Sequence, residues 1–421
     1  MTSRTHRTPP PAEFTALLAL SIALAALGID ILLPAFGAIR AELGLPADST
    51  AVAALVTAYF LGLALGQLAY GPLSDRFGRR PTLFVGYAVY VLGALAATAS
   101  PSLELLVASR FLWGLGAAGP RVVTIAIIRD TYEGDRMSRA MSFVMAVFIL
   151  VPVIAPSIGA GLVALGNWRW VFATCVLAAL VMTVWAWVRL PETLPDRHRL
   201  ELRLGRIARA VGVVVTARQA RGYGLAMTVL FGAFLSYIAS SEIIITETFD
   251  RARWFPVIFS GLAAVMGVAI LLNARIVGRI GARRLAHRAL LGYLAVAAVL
   301  VLVAVTTGGR PPLWLFLVTA GLLLASHALL VPNLNAIAMA NMAPVAGTAS
   351  SLLGAAQIAG GAMLGAVVDQ AFAGTILPLS VAFLGYGTVA LGLILWTEHG
   401  KLFQPLPRPP GIDPTAPVTE G

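Results

Sequence analysis

Apolar and polar positions alternate along this chain in long blocks rather than residue by residue. Continuous apolar runs cover roughly 14–39, 49–72, 81–99, 103–128, 138–164, 169–188, 223–248, 254–277, 285–306, 312–340, 345–372 and 376–397, with short polar segments between them. A hydrocarbon core of about 30 Å needs about 20 apolar residues as helix, so each run predicts a transmembrane α-helix. A membrane β-barrel is excluded, because its strands would alternate apolar and polar. Of the 421 residues, 59% are hydrophobic and 12% charged, and mean hydropathy is +0.87. A water-soluble domain could not hide that much apolar surface. The predicted fold class is an all-α membrane protein of twelve helices.

Net charge is +11. In a soluble protein that would suggest nucleic-acid binding; here orientation explains it, and no nucleic-acid partner is expected. With both termini cytoplasmic, the inner segments carry 23 Lys and Arg and the outer loops carry 5 (Arg40, Arg169, Arg251, Arg253 and Arg310). That bias is the one the positive-inside rule describes. Trp168 and Trp170 lie at one end of span 6, Trp185 and Trp187 at the other, as an interfacial belt would place them. The first run is about 25 residues, longer than the 7–15-residue core of a signal peptide, so it reads as a retained span. The expected location is a bacterial cytoplasmic membrane. The single cysteine, Cys175, excludes an internal disulfide.

The spans divide six and six. A first bundle is predicted over 1–188, a polar cytoplasmic linker over 189–222 with a surface helix at 200–215, a second bundle over 223–400, and a Pro-rich disordered tail over 401–421. A shift of 203 residues lays GPLSDRFGRR (71–80) over ARIVGRIGAR (274–283), matching Arg76 to Arg279, Gly78 to Gly281 and Arg80 to Arg283. Both segments follow the second span of their half. Such duplication is the repeat logic of many secondary transporters.

Several segments carry candidate chemistry. Asp30, in IDILLP, lies deep in span 1, where a charge costs roughly 2.5–3.5 kcal/mol on insertion scales and does not face lipid. A carboxylate held between burial and a nearby cation can load and release a proton; the plainer role is to stabilise the helix break before Pro34. Arg110 and Arg121 of span 4 are 11 residues apart, so they share one helical stripe. Arg121 could bind substrate or pair with a glutamate. Glu242 in span 7 is a second protonation candidate, while Glu247 and Asp369 are assigned to an external mouth. Pro152, Pro156 and Gly159 favour a bend and tight packing in span 5. Tyr59, Trp113, Phe148, Tyr237, Asn333, Asn335 and Gln357 are candidates for a substrate cavity, although each could equally be interhelical filler. His327 reads as a packed, neutral histidine.

GPLSDRFGRR closely resembles the signature of loop 2–3 in the major facilitator superfamily, matching Gly71, Asp75, Arg76, Gly78, Arg79 and Arg80. IDILLP (Asp30, Pro34) resembles the D-x-x-L-P of its drug-efflux members, RFLWGLGAAG (Arg110, Gly114, Gly116) its span-4 motif, and APSIGA (Pro156, Gly159) its antiporter motif. Ala155 and Ala160 stand where the antiporter motif has glycines, and the two glutamates of SSEIIITE depart from the subgroup pattern. The best subgroup match is the Bcr/CflA-like drug:proton antiporters. The resemblance implies two pseudo-symmetric six-helix bundles and export of small apolar or amphipathic compounds by proton antiport. It also implies that Asp30 is tuned by Arg110, that Asp75 meets the N-terminus of span 11, and that the 71–80 loop gates. A carrier of one specific metabolite is the first alternative; a non-transporting sensor or assembly partner is the second. Expected partners are a small-molecule substrate, protons and the lipid bilayer, with a monomeric chain. There is no Walker A motif, the only lysine is Lys401, and no metal-ligand cluster or nucleophile–base pair stands out. ATP drive, enzymatic activity, a cofactor and a metal are therefore not expected.

Overall fold

A computed structural model describes residues 10–195, 197 and 204–403; the tail from Gln404 lies outside these. The described residues form twelve helices long and apolar enough to cross a membrane. They are Pro11–Glu42, Thr50–Phe77, Arg79–Thr98, Leu103–Thr131, Gly134–Ala164 and Arg169–Arg189, then Arg218–Thr248, Ala252–Ile280, Ala282–Thr306, Leu313–Met339, Ala343–Gln370 and Leu377–Thr397, hereafter spans 1 to 12. A short helix, Leu204–Thr216, precedes span 7 and rests on spans 7 and 11 through buried residues that include Ala210 and Val214. It coincides with the part of the predicted surface helix that lies within the described residues; 200–203 lie outside them.

Spans 1 to 6 pack chiefly on one another, as do spans 7 to 12. The halves meet where span 2 lies along span 11 and span 5 along span 8. Gln67 rests against Gly354 in the first contact, and Ile149 occupies the space a Cβ on Gly267 would take in the second. Spans 1 and 7 are almost enclosed by protein. Spans 5, 8 and 9 turn apolar side chains outward, and Leu177, Leu271, Leu302 and Val367 stand exposed along the surface lipid would cover. Trp170 and Trp187 are exposed at opposite ends of span 6, as a belt requires, but Trp168 is buried and its Nε1 donates to Glu42 Oε2 at 2.6 Å.

The duplication is visible in the backbone. Gly78 has φ 101° and ψ 157°, and Gly281, 203 residues on, has φ 81° and ψ 150°. Each ends one span and starts the next in a conformation that L side chains rarely adopt. The repeat therefore keeps a backbone corner together with the arginines at 76/279 and 80/283, while Asp75 and Arg79 have no counterpart.

Candidate functional site

Span 1 carries the centre of the site, and its local sequence breaks it there. Pro34 has no N–H for the carbonyl of Asp30, so regular helix cannot continue. The α-helix ends at Asp30, a 3₁₀ turn follows over Leu33–Ala35, and α-helix resumes over Phe36–Glu42. Asp30 is buried and makes no hydrogen bond or ion pair among the described residues. Tyr59 and Tyr237 lie within electrostatic reach of it, one from each half. Gly159 presses on the backbone of Ile31, immediately after Asp30. A methyl there would overlap that backbone, which no rotamer change relieves. Gly159→Ala is accordingly expected to lower stability by about 1–3 kcal/mol, the range for overpacking, read as a fall in the melting temperature of purified protein.

Arg110 is fully buried, yet it does not pair with Asp30. Its Nη1 donates to the Gly28 carbonyl at 2.7 Å and its Nε to the Leu55 carbonyl at 3.2 Å, while the guanidinium lies 4.3 Å from the Tyr59 ring and 4.7 Å from that of Trp113. Direct tuning of Asp30 by Arg110 is thus replaced by a positional link: Arg110 ties spans 2 and 4 to the backbone just ahead of Asp30. Arg121 is half-buried and has no hydrogen bond or ion pair among the described residues.

Two cavity candidates belong instead to the packing of the first bundle. Tyr59 donates its hydroxyl to the Ala25 carbonyl at 2.9 Å, and Trp113 is ringed by Tyr59, Tyr90 and Phe172 with centroids 5.4–6.0 Å away. Asn333 is also buried, and its Nδ2 donates to Asn273 Oδ1 at 2.6 Å between spans 10 and 8. Tyr237 stacks on Phe259 of span 8 at 5.9 Å. Phe148 and Gln357 are half-buried, and Asn335 is exposed. His327 is buried, stacked 4.7 Å from Phe234.

Arg40, counted above as an outer-loop residue, lies in the resumed helix of span 1 and is buried. Its Nη2 bonds both oxygens of Glu242, at 2.8 and 2.7 Å, joining span 1 to span 7 across the two halves. The pair borders an open cavity of about 650 Å³ that Pro34, Ala160, Glu247 and Arg253 also line. The cavity lies at the face opposite the 71–80 loop. Immediately after Glu242, span 7 widens into a π-helical turn over Ile244–Thr248, a feature often found at functional sites. Charges separated by 202 residues give no sequence signal of pairing, which is why Arg40 was missed.

At the other face, the 71–80 loop is a hub. Arg79 pairs with Asp75 within the loop, with Asp130 at the end of span 4 at 2.7 Å, and with Ser74 Oγ at 2.9 Å. Glu192, just after span 6, accepts from the backbone N–H of Arg79 and Arg80 at 3.0 and 3.1 Å. Arg80 donates to the Trp187 carbonyl at 2.9 Å, and Arg76 lies over the Phe77 ring. The expected contact of Asp75 with the N-terminus of span 11 is replaced by the bond to Arg79. Gly71 faces span 11 instead, where a methyl on it would sit 3.7 Å from Ser351 Oγ. Arg79→Ala would remove the cation shared by two carboxylates that both reach solvent, Asp75 being 42% exposed, so a loss of about 1 kcal/mol is expected. A lowered melting temperature, with Arg79→Lys recovering part of it, is the check. Asp130 and Glu192 were not singled out from sequence, because their role depends on how spans 4 and 6 end beside the loop.

Comparison with known proteins agrees with this architecture. The Major Facilitator Superfamily model matches residues 18–366. A bicyclomycin resistance protein homolog of Haemophilus influenzae is 30% identical over 356 residues, covering 84% of this chain and 87% of that protein. A chloramphenicol resistance protein of Pseudomonas aeruginosa is 28% identical over 384 residues, covering 88% and 87%. Among solved structures, a D-xylose–proton symporter superposes with TM-score 0.75 at 13% identity (93% of this chain, 98% of that one), and the human organic anion transporter MFSD10 with TM-score 0.64 at 19% identity (93% and 100%). At those identities the structures speak to fold alone. This chain belongs to the Major Facilitator Superfamily: it is a multi-pass membrane transporter of that fold and not an enzyme.

Proposed function

We propose that this protein exports small apolar or amphipathic compounds, antibiotics among them, from a bacterial cytoplasm by proton antiport with alternating access. The observation that carries the reading is Asp30: a buried carboxylate without an ion pair among the described residues, at the break in the enclosed helix of span 1. A charge so placed is functional by default in a membrane span. The relatives named for bicyclomycin and chloramphenicol resistance support an efflux substrate. Asp30 takes the proton, Arg110 and Gly159 hold the break around it, Arg40–Glu242 closes one face, and the 71–80 loop organises the other. The reading includes cytoplasmic termini, bundles at 1–188 and 223–400 joined by a 189–222 linker, and a monomer.

One observation supports a second reading. Arg121 presents a half-buried guanidinium in span 4 with no partner among the described residues, as a carrier of one anionic metabolite would need. Proteoliposomes loaded at low internal pH separate the two. Uncoupler-sensitive uptake of both chloramphenicol and bicyclomycin supports drug antiport. Uptake of neither, with saturable uptake of a single organic anion, supports the narrow carrier.

A further inference from the structure

A second buried carboxylate without a cationic partner lies outside this machinery. Asp369, assigned from sequence to the mouth, is 4% exposed on span 11. Its Oδ1 accepts from Ser236 Oγ at 2.7 Å and from Ser240 Oγ at 3.1 Å. Both serines are buried, one turn apart on span 7. Its Oδ2 is buried with no hydrogen-bond partner, and among the described residues no Arg, Lys or His pairs with it. Tyr386 of span 12 is within electrostatic reach, but its hydroxyl donates to the Leu364 carbonyl at 3.0 Å. Span 2 also packs on span 11 and brings the uncharged segment Thr50–Ala53. Spans 7 and 11 touch here: a methyl on Gly365 would lie 3.0 Å from Ser236 N and 3.1 Å from the Gly232 carbonyl.

A carboxylate buried in so apolar a setting must be paired, bound to a cation or protonated. Two hydroxyl donors account for one of its oxygens. A metal ion is disfavoured, since Ca²⁺ or Mg²⁺ takes about six or more oxygen ligands and this cluster offers a carboxylate and two hydroxyls between helices in contact. A proton on Oδ2 needs no such shell. The serine hydroxyls can turn to serve either form of the carboxyl. The π-helical turn beginning at Ile244, one turn beyond Ser240, offers a place for span 7 to part from span 11 and admit water.

We propose that Asp369, with Ser236 and Ser240, is a second proton-exchange site, placed in the C-terminal half as Asp30 is in the N-terminal half. The proposal rests on the antiport reading for its role in transport, though proton binding at Asp369 can be measured without any substrate. The test is an infrared pH titration of the purified full-length protein, following the C=O stretch of protonated carboxylic acids. A titrating band that is lost in Asp369→Asn, kept in Asp30→Asn and shifted in the Ser236→Ala/Ser240→Ala double variant supports the site. Spectra identical in wild type and Asp369→Asn across the titration overturn it. So does a band that responds to sodium against potassium at fixed pH and not to protons. Chloramphenicol-driven proton flux in proteoliposomes separates the two levels. No flux from wild type, with the band present, overturns the antiport reading and leaves the proton site. Flux with the same proton count per substrate in Asp369→Asn overturns the coupling role of the site.

Discussion

Asp30→Asn is expected to abolish accumulation driven by a pH gradient while leaving the protein folded and able to bind substrate. The side chain is isosteric, and Asp30 makes no hydrogen bond or ion pair among the described residues that the change would break. On the proposed antiport, what is lost is the ability to carry a proton. One pH unit is worth about 1.4 kcal/mol per proton, and 1.4 kcal/mol is about tenfold in a concentration ratio. A one-proton antiporter therefore holds roughly a tenfold substrate gradient per pH unit, and the variant should fall to a ratio of about one. Counterflow of labelled chloramphenicol, which needs no net proton movement, should persist. If accumulation survives in Asp30→Asn, the proton travels elsewhere, and Glu242 or Asp369 becomes the site to examine.

The second large effect is expected at Arg40–Glu242. The two side chains are 3% and 7% exposed, so neither ion has water to fall back on when its partner is removed. Breaking a buried pair from one side costs about 3–5 kcal/mol. Because this pair joins the two halves, that loss is felt only in the conformation that forms it, and its population relative to the other should drop by ~10²–10⁴. Arg40→Gln or Glu242→Gln should speed labelling of a cysteine placed at Ala160, which lines the adjoining cavity. The native Cys175 is buried and should contribute little background. The exchanged pair Arg40→Glu/Glu242→Arg should slow labelling again and restore part of transport. Restored labelling without any transport would instead make Glu242 a proton carrier, because a latch needs complementary charges in either order, whereas a proton relay needs the carboxyl where it is.

These two sites differ in how they could be found. Asp30 declares itself along the chain: one acid in a long apolar run, four residues before a proline. The same is true of the span count, the arginine-rich face, the glycine corner at Gly78 and its echo at Gly281. Each follows from what a bilayer tolerates at a given depth, or from what backbone a residue can adopt, and neither needs a neighbour in space. Arg40 shows the limit. Its charge after an apolar segment looks like the start of a loop, until the break at Pro34 lets the helix resume and carries it inward.

Three-dimensional packing decided the rest. Span periodicity could place Tyr59, Trp113 and Arg110 on helix faces, but an all-apolar helix has no polar stripe to say which face meets its own bundle and which meets the cavity. In water, the amphipathic pattern supplies that answer; in lipid, the outside is as apolar as the core. Thus the structure, not the pattern, turned Arg110 toward the Gly28 carbonyl and Trp113 into the first bundle. It likewise buried Asp369 under two serines. By itself, the sequence of this protein determined its solvent, its span number, its family resemblance and the position of the one acid in its first apolar run, 14–39. Only the tertiary structure decided which charges are paired across the halves and which are left alone, because that depends on contacts between segments up to 202 residues apart that no local rule connects.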